Sequence, residues 1–111
     1  MKRDYKLYLQ DIRESIKQIE EYLKGISQEE FIKDKKLQDA IARRLEIIGE
    51  ASRNIPRALK EKNKEILWFN LSQFRDLIAH SYFSTSLDKI WKTAKKDIPV
   101  LKEQFEKIKM I

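Results

Sequence analysis

Residues 5–25 read YKLYLQDIRESIKQIEEYLKG, the most regular pattern in the chain. Its apolar residues recur at alternating intervals of four and three positions, which is the period of one helix face. The members of this stripe are Tyr5, Leu9, Ile12, Ile16, Ile19 and Leu23. Charged and polar residues fill most of the positions between them. The pattern predicts an amphipathic helix with a narrow apolar seam, and Gly25 is predicted as its left-handed C-terminal cap.

The following segment predicts a second long helix over about residues 35–54, by the same periodicity. Asp34 precedes it as an N-cap, and Pro56 ends it because a proline disfavours helical backbone in the residue before it. Between the two helices, Ser27 and Glu30 have the spacing of a capping box, in which each side chain bonds the other residue's amide.

Two more helices are predicted in the second half of the chain. One is strongly apolar and runs from Leu67 to about Ala79, and a loop rich in hydroxyl groups follows from His80 to Ser86. The last helix starts near Leu87, and Pro99 is predicted to kink it or split it in two.

Composition supports an all-α fold. The chain has 111 residues, and only two glycines and two prolines occur in it. A β-sandwich or an α/β fold of this size needs more turn-forming residues. We therefore predict an antiparallel bundle of four principal helices plus short turns, as a single helical domain over residues 1–111.

Charge and cysteine content exclude several classes of protein. The chain has no cysteine, which excludes disulfides, thiolate metal sites and a cysteine nucleophile. Uncharged stretches are much shorter than the roughly 20 apolar residues of a membrane span, and the N-terminus does not resemble a secretion signal. We expect a cytoplasmic protein that does not enter membranes. Its net charge of +6 is compatible with nucleic-acid binding but does not establish it.

Catalytic candidates are few, and they lie together. His80 is the only histidine, Arg75 precedes it by five residues and Tyr82 follows it by two. Histidine can transfer protons near neutral pH, arginine can grip a phosphate with two hydrogen bonds, and tyrosine can stack on a base. The three residue types suit phosphodiester chemistry. The alternative is structural: a histidine that caps a helix end, a surface pair between Arg75 and Asp76, and a buried Tyr82.

Helical geometry bears on whether these residues can meet. On a straight helix, Arg75 and Tyr82 lie within about 20° of each other, while His80 lies about 140° from Arg75. The three side chains converge if the helix ends or bends near His80, or if a second chain completes the site. A two-fold dimer would also supply the second histidine that acid and base steps on one phosphorus require.

Two further features, a pair of glutamates and a glycine within a predicted helix, indicate function less specifically. Glu46 and Glu50 are one helical turn apart and could hold magnesium, although ion pairs with neighbouring arginines are the simpler interpretation. No other spacing suggests a metal site, and we predict none and no cofactor. Gly49 lies inside a predicted helix, where it either permits close packing within the bundle or marks a crossing point at a subunit interface.

The spacing of Arg75, His80 and Tyr82 resembles the motif of HEPN-domain ribonucleases of the HepT toxin type. Three further segments resemble that family in its order along the chain: residues 8–12, 45–51 and 97–102. The resemblance implies a dimeric helical bundle that cleaves RNA without metal, with Arg75 and His80 as the catalytic pair. It also implies a partner, a minimal nucleotidyltransferase antitoxin of the MntA type, which transfers AMP onto Tyr82 and silences the toxin.

Two positions depart from the family pattern. Asp76 stands where asparagine is common and Ser81 where glycine is common, and both are candidates for supporting roles. The alternative functions are a non-catalytic HEPN module that binds nucleotide or the nucleotidyltransferase, and a basic bundle that binds nucleic acid without specificity.

Overall fold

The computed structural model describes residues 3–81 and 86–111, and within these ranges the chain forms helices and no β-strand. The elements in chain order are α1 (Tyr5–Leu23), α2 (Gln28–Lys33), α3 (Lys35–Arg53), α4 (Arg57–Lys62), α5 (Trp68–Ser72), α6 (Phe74–Ser81), α7 (Leu87–Lys92), a π-helix (Thr93–Asp97) and α8 (Ile98–Glu106). The predicted all-α fold is confirmed. The four predicted helices correspond to α1, α3, α5 with α6, and α7 with α8.

The long helices α1 and α3 pack against each other and form the centre of the fold. The predicted stripe on α1 is buried from Leu9 to Leu23, while Tyr5 is only partly buried at the helix start. Gly25 adopts a φ of 71°, the left-handed conformation that a side chain disfavours, so its prediction as a helix-ending residue is confirmed.

The predicted caps also form. Asp34 Oδ1 accepts a hydrogen bond of 3.0 Å from the Leu37 amide and starts α3. At α2, Ser27 Oγ accepts from the Glu30 amide at 3.1 Å, and Glu30 Oε1 accepts from the Ser27 amide at 3.0 Å. These bonds satisfy amides that have no partner within the first turn of a helix.

The apolar helix predicted from Leu67 to Ala79 is interrupted at Gln73 and continues to Ser81. Two side chains donate hydrogen bonds to backbone carbonyls at this junction. Ser72 Oγ donates to the Phe69 carbonyl at 2.7 Å, and Arg53 Nη2 donates to the Ser72 carbonyl at 3.0 Å. Such bonds compete with the regular helical pattern.

The last helix is split, as Pro99 predicted. Pro99 has no amide hydrogen, and in a regular helix its ring would clash with the carbonyl of Lys95. The backbone instead widens into the π-helix over Thr93–Asp97, and α8 starts at Ile98 with Pro99 in its first turn.

Buried apolar residues from all parts of the bundle form one contiguous core. Phe31 of α2 and Trp91 of α7 have ring centroids 5.4 Å apart, and Trp68 of α5 meets Phe105 of α8 at 5.8 Å. These aromatic contacts join short helices to one another, α2 to α7 and α5 to α8. None of the helices in the described ranges is long and apolar enough to cross a lipid bilayer.

Candidate functional site

Helix α6 carries most of the predicted site. Phe74–Ser81 includes Arg75, Asp76, His80 and Ser81, whereas Tyr82 lies outside the described residues. The prediction that His80 starts a loop is wrong, because α6 continues through Ser81. Positions 75 and 80 therefore belong to one helix, about 140° apart around its axis. A single copy of α6 does not bring these two positions onto one face.

Arg75 is exposed at the start of α6, while its backbone is packed against α3. No ion pair among the described residues includes Arg75. Its guanidinium is consequently accessible to an anion from solvent. Arginine in this state can donate two parallel hydrogen bonds to a phosphate.

Asp76 pairs with a different arginine. Its Oδ1 lies 3.9 Å from Arg53 Nη2 on α3, and both side chains are partly exposed. The alternative in which Arg75 and Asp76 form a surface pair is therefore wrong. Because the Arg53 guanidinium also bonds the Ser72 carbonyl, it links α3 to both α5 and α6. Asp76 thus contributes to this link, and within the described residues it forms no ion pair with Arg75.

The contacts of Arg53 are not predicted by any sequence pattern. It lies 19 residues before Ser72 and 23 before Asp76. No local pattern connects it to the motif, since its contacts depend on how α3 packs against the junction between α5 and α6.

Glu46 and Glu50 belong to no cluster of three or more potential metal ligands among the described residues. Glu46 Oε1 accepts a bond of 3.0 Å from Arg43 Nη1, which confirms the ion-pair interpretation for this residue. Among residues 3–81 and 86–111, no group of three or more histidine and carboxylate side chains is arranged to hold a metal ion.

Asp88 lies at the start of α7, close in sequence to the motif. Its carboxylate accepts a bond of 2.8 Å from Gln28 Nε2 and forms an ion pair of 3.2 Å with Lys92 Nζ. The bond with Lys92 and then the bond with Gln28 lower the pKa of Asp88, so the group is ionised at neutral pH. The contact joins α2 to α7 and anchors the chain shortly after the motif.

The chain is similar to known proteins over most of its length. Residues 12–108 match the family model described as "Ribonuclease HepT-like". A protein of Thermococcus cleftensis named "Probable ribonuclease HepT" is 50% identical over 109 residues, covering 98% of this chain and 99% of that protein. The chain belongs to the HepT-like ribonuclease family.

Other relatives of this HepT-like chain have related names. A Methanocaldococcus jannaschii protein named "Gamma-glutamylcyclotransferase and putative RNase" is 46% identical over 97% of this chain, which spans 49% of that longer protein. A Caldanaerobacter subterraneus protein named "Putative RNase" is 41% identical over 91% of this chain and 90% of its own length. No solved structure matches the chain.

Membership of the HepT-like family identifies the chain as an RNase-type HEPN protein. The segment on α3 that resembles the family contains Gly49, which contacts the start of α6. The segment of α3 around Gly49 and the start of α6 are distant in sequence, and they thus meet at the backbone of Arg75.

Proposed function

We propose that this HepT-like protein is a toxin-type endoribonuclease that cleaves RNA without a metal ion. The observation that carries the proposal is the placement of Arg75 on α6, exposed and outside every ion pair of the described residues, five positions before the only histidine. The family match supports RNA as the substrate.

In the proposed mechanism, His80 removes the proton from a ribose 2′-hydroxyl. The 2′-oxygen attacks the adjacent phosphorus, the bond from phosphorus to the 5′-oxygen breaks, and the products are a 2′,3′-cyclic phosphate and a 5′-hydroxyl end. Arg75 stabilises the negative charge that grows on the phosphoryl oxygens. Proton transfer by a positioned histidine contributes about 10²–10⁴-fold to the rate.

A homodimer completes this site in the proposal. One chain has a single histidine, and positions 75 and 80 lie on different faces of α6. A second α6 across a two-fold axis brings another His80 to the same cleft, where it protonates the leaving 5′-oxygen. Ser81 and Asp76 have supporting roles next to the two catalytic residues, Asp76 through its ion pair with Arg53.

Regulation is proposed to act through Tyr82. An MntA-type minimal nucleotidyltransferase antitoxin forms a bond between the tyrosine oxygen and the α-phosphorus of ATP, with pyrophosphate as the leaving group and loss of the phenol proton. The added phosphate competes with RNA for Arg75. Co-expression of the two proteins should add one AMP to the wild-type mass and none to Tyr82→Phe. An unchanged wild-type mass would count against this regulation.

The test of cleavage is an RNA digestion with purified protein. We expect the wild type to cut single-stranded RNA equally well with and without EDTA, and His80→Ala and Arg75→Ala to lose at least about 10²-fold in rate. Arg57→Ala is the matched control, because Arg57 is also an exposed arginine. Unlike Arg75, it lies in an ordinary surface ion pair, with Glu61 at 3.1 Å. Cleavage by His80→Ala at the wild-type rate would overturn the mechanism.

The second candidate is a non-catalytic HEPN module that binds nucleotide or the nucleotidyltransferase. The departures from the family pattern at Asp76 and Ser81 favour it. Growth separates the two functions, since a ribonuclease toxin expressed without its antitoxin should arrest cells in a His80-dependent manner. A non-catalytic module should leave growth unchanged.

A further inference from the structure

Gly49 of α3 faces the junction between α5 and α6. A Cβ atom built on Gly49 would lie 3.0 Å from the Arg75 backbone nitrogen, 3.2 Å from the Leu71 carbonyl oxygen and 3.4 Å from Phe74 Cβ. Contacts at the two shorter distances are tighter than nine in ten contacts of real Cβ atoms. The glycine therefore allows a closer approach of α6 to α3 than any other residue allows.

The neighbours at Gly49 are mainly backbone atoms. A clash with the end of a flexible side chain can be relieved by rotation, but the Arg75 amide and the Leu71 carbonyl move only if their helices move. A glycine inside a helix costs about 1 kcal/mol relative to alanine. The close approach to α6 gives a physical reason for glycine at this position.

Neighbouring residues of α3 reinforce the contact. One turn after Gly49, the Arg53 guanidinium bonds the Ser72 carbonyl and pairs with Asp76. These residues precede and follow Arg75 in the chain. Helix α3 thus fixes the start of α6 at two points, by the steric fit at Gly49 and by the polar link at Arg53.

We propose that Gly49 is a positioning residue for Arg75, an inference that rests on the proposed RNA cleavage. A methyl group at position 49 pushes the start of α6 a few tenths of an ångström away from α3 and shifts the base of the Arg75 side chain. Displacement of a catalytic group by about 1 Å can cost roughly 10²-fold in rate. A smaller shift should lower the cleavage rate less, and a larger side chain should lower it more.

The experiment compares Gly49→Ala and Gly49→Val with the wild type in single-turnover RNA cleavage at saturating protein, together with thermal unfolding. We expect Gly49→Ala to slow cleavage by about three- to tenfold. Its unfolding temperature should stay near that of the wild type, since the higher helix propensity of alanine offsets the crowding. Gly49→Val should be slower still.

The matched control is Ala51→Ser, which adds one atom to the same helix. Ala51 is buried and lines a cleft toward Arg3 and Tyr8 rather than α6. Its substitution should change the unfolding temperature but leave the cleavage rate unchanged. If Ala51→Ser slowed cleavage as much as Gly49→Ala does, the positioning role of Gly49 would be overturned.

A double-mutant cycle links Gly49 to Arg75 directly. In an Arg75→Lys background, Gly49→Ala should slow cleavage by a smaller factor than it does in the wild type. The effects of two substitutions are not additive when one residue acts through the other. Additive losses, or a wild-type rate for Gly49→Ala, would overturn the inference. Failure of the proposed function is a different outcome, in which Arg75→Ala itself cleaves RNA at the wild-type rate.

Discussion

Arg75 and Arg53 are exposed arginines near the start of α6, but their surroundings differ. Arg53 bonds a backbone carbonyl and pairs with Asp76, so its guanidinium stabilises the contact between α3 and α6. Arg75 has no ion pair within the described residues and extends into solvent. The two arginines differ because the Asp76 carboxylate lies toward α3, where it pairs with Arg53.

At this residue scale we expect Asp76→Asn to strengthen RNA binding. The change removes a negative charge beside Arg75 and releases Arg53 from an exposed pair worth less than about 1 kcal/mol. Binding of a short single-stranded RNA should tighten by about two- to fivefold at low salt, and the gain should shrink at high salt because exposed charges are screened.

Fluorescence anisotropy in a His80→Ala background measures this affinity without cleavage. Glu61→Gln is the control, since Glu61 is also an exposed carboxylate paired with an arginine, on α4. Weaker RNA binding by Asp76→Asn than by the parent would contradict the prediction.

At the scale of elements, capping interactions define where the helices start. The capping box of α2 is the most complete example, and its hydrogen bond from the Ser27 amide is the main reason that the pKa of Glu30 is lowered. The charged form of Glu30 therefore favours the folded state. The first turn of α2 also contains Glu29, which accepts no capping bond in the described structure.

We expect the stability difference between the wild type and Glu30→Gln to depend on pH. A carboxylate with a lowered pKa stabilises the folded state above its unfolded pKa, and the contribution disappears as the pH falls through the folded pKa. The wild type should unfold at a higher temperature near neutral pH, and the two curves should converge in acid. Glu29→Gln, which removes a charge from the same turn, should show a smaller pH-dependent difference.

At the scale of the whole molecule, positive charge is widely distributed. The chain has 24 lysines and arginines against 18 acidic residues, yet residues 66–82 contain only Arg75 and Asp76 as permanently charged groups. The motif segment is therefore close to neutral, and under the proposed function the rest of the surface supplies the field that attracts RNA. Long-range attraction of RNA should then depend mainly on charges outside the motif segment.

Mixed dimers test whether two chains form one site. If both His80 residues are needed, refolding equal amounts of wild type and His80→Ala together should leave about one quarter of the wild-type activity per dimer, because only that fraction pairs two intact chains. About one half is expected if each chain acts alone. Sedimentation of the mixture confirms that dimers are present, and a value of one half would overturn the two-chain site.

Local patterns predicted most of the helices and the two N-terminal caps at α2 and α3. The alternation of apolar residues predicted α1 and α3, and Asp34, Ser27 and Glu30 form the expected bonds because capping involves residues at most three positions apart. Pro99 predicted the split of the last helix for a similar local reason, the absence of its amide hydrogen.

Asn63 contacts a residue distant in sequence, so no local pattern predicts this contact. It lies in a stretch that reads as a polar loop, yet its side chain is fully buried and bonds the backbone amide and carbonyl of Lys109 at 2.7 and 2.8 Å. Its own carbonyl accepts a bond of 3.1 Å from Trp68 Nε1. The C-terminal segment is thereby fixed to the α4–α5 connection across 46 residues of sequence.

The sequence by itself determined the helical class, the main helix starts and the candidate residues Arg75, His80 and Tyr82, because these depend on periodicity and on short spacings. Tertiary structure decided the interruption at Gln73, the pairing of Asp76 with Arg53 and the contact of Gly49 with the Arg75 backbone. Each of these arises from the packing of α3 on α5 and α6, which joins residues too far apart in sequence for a local pattern to record.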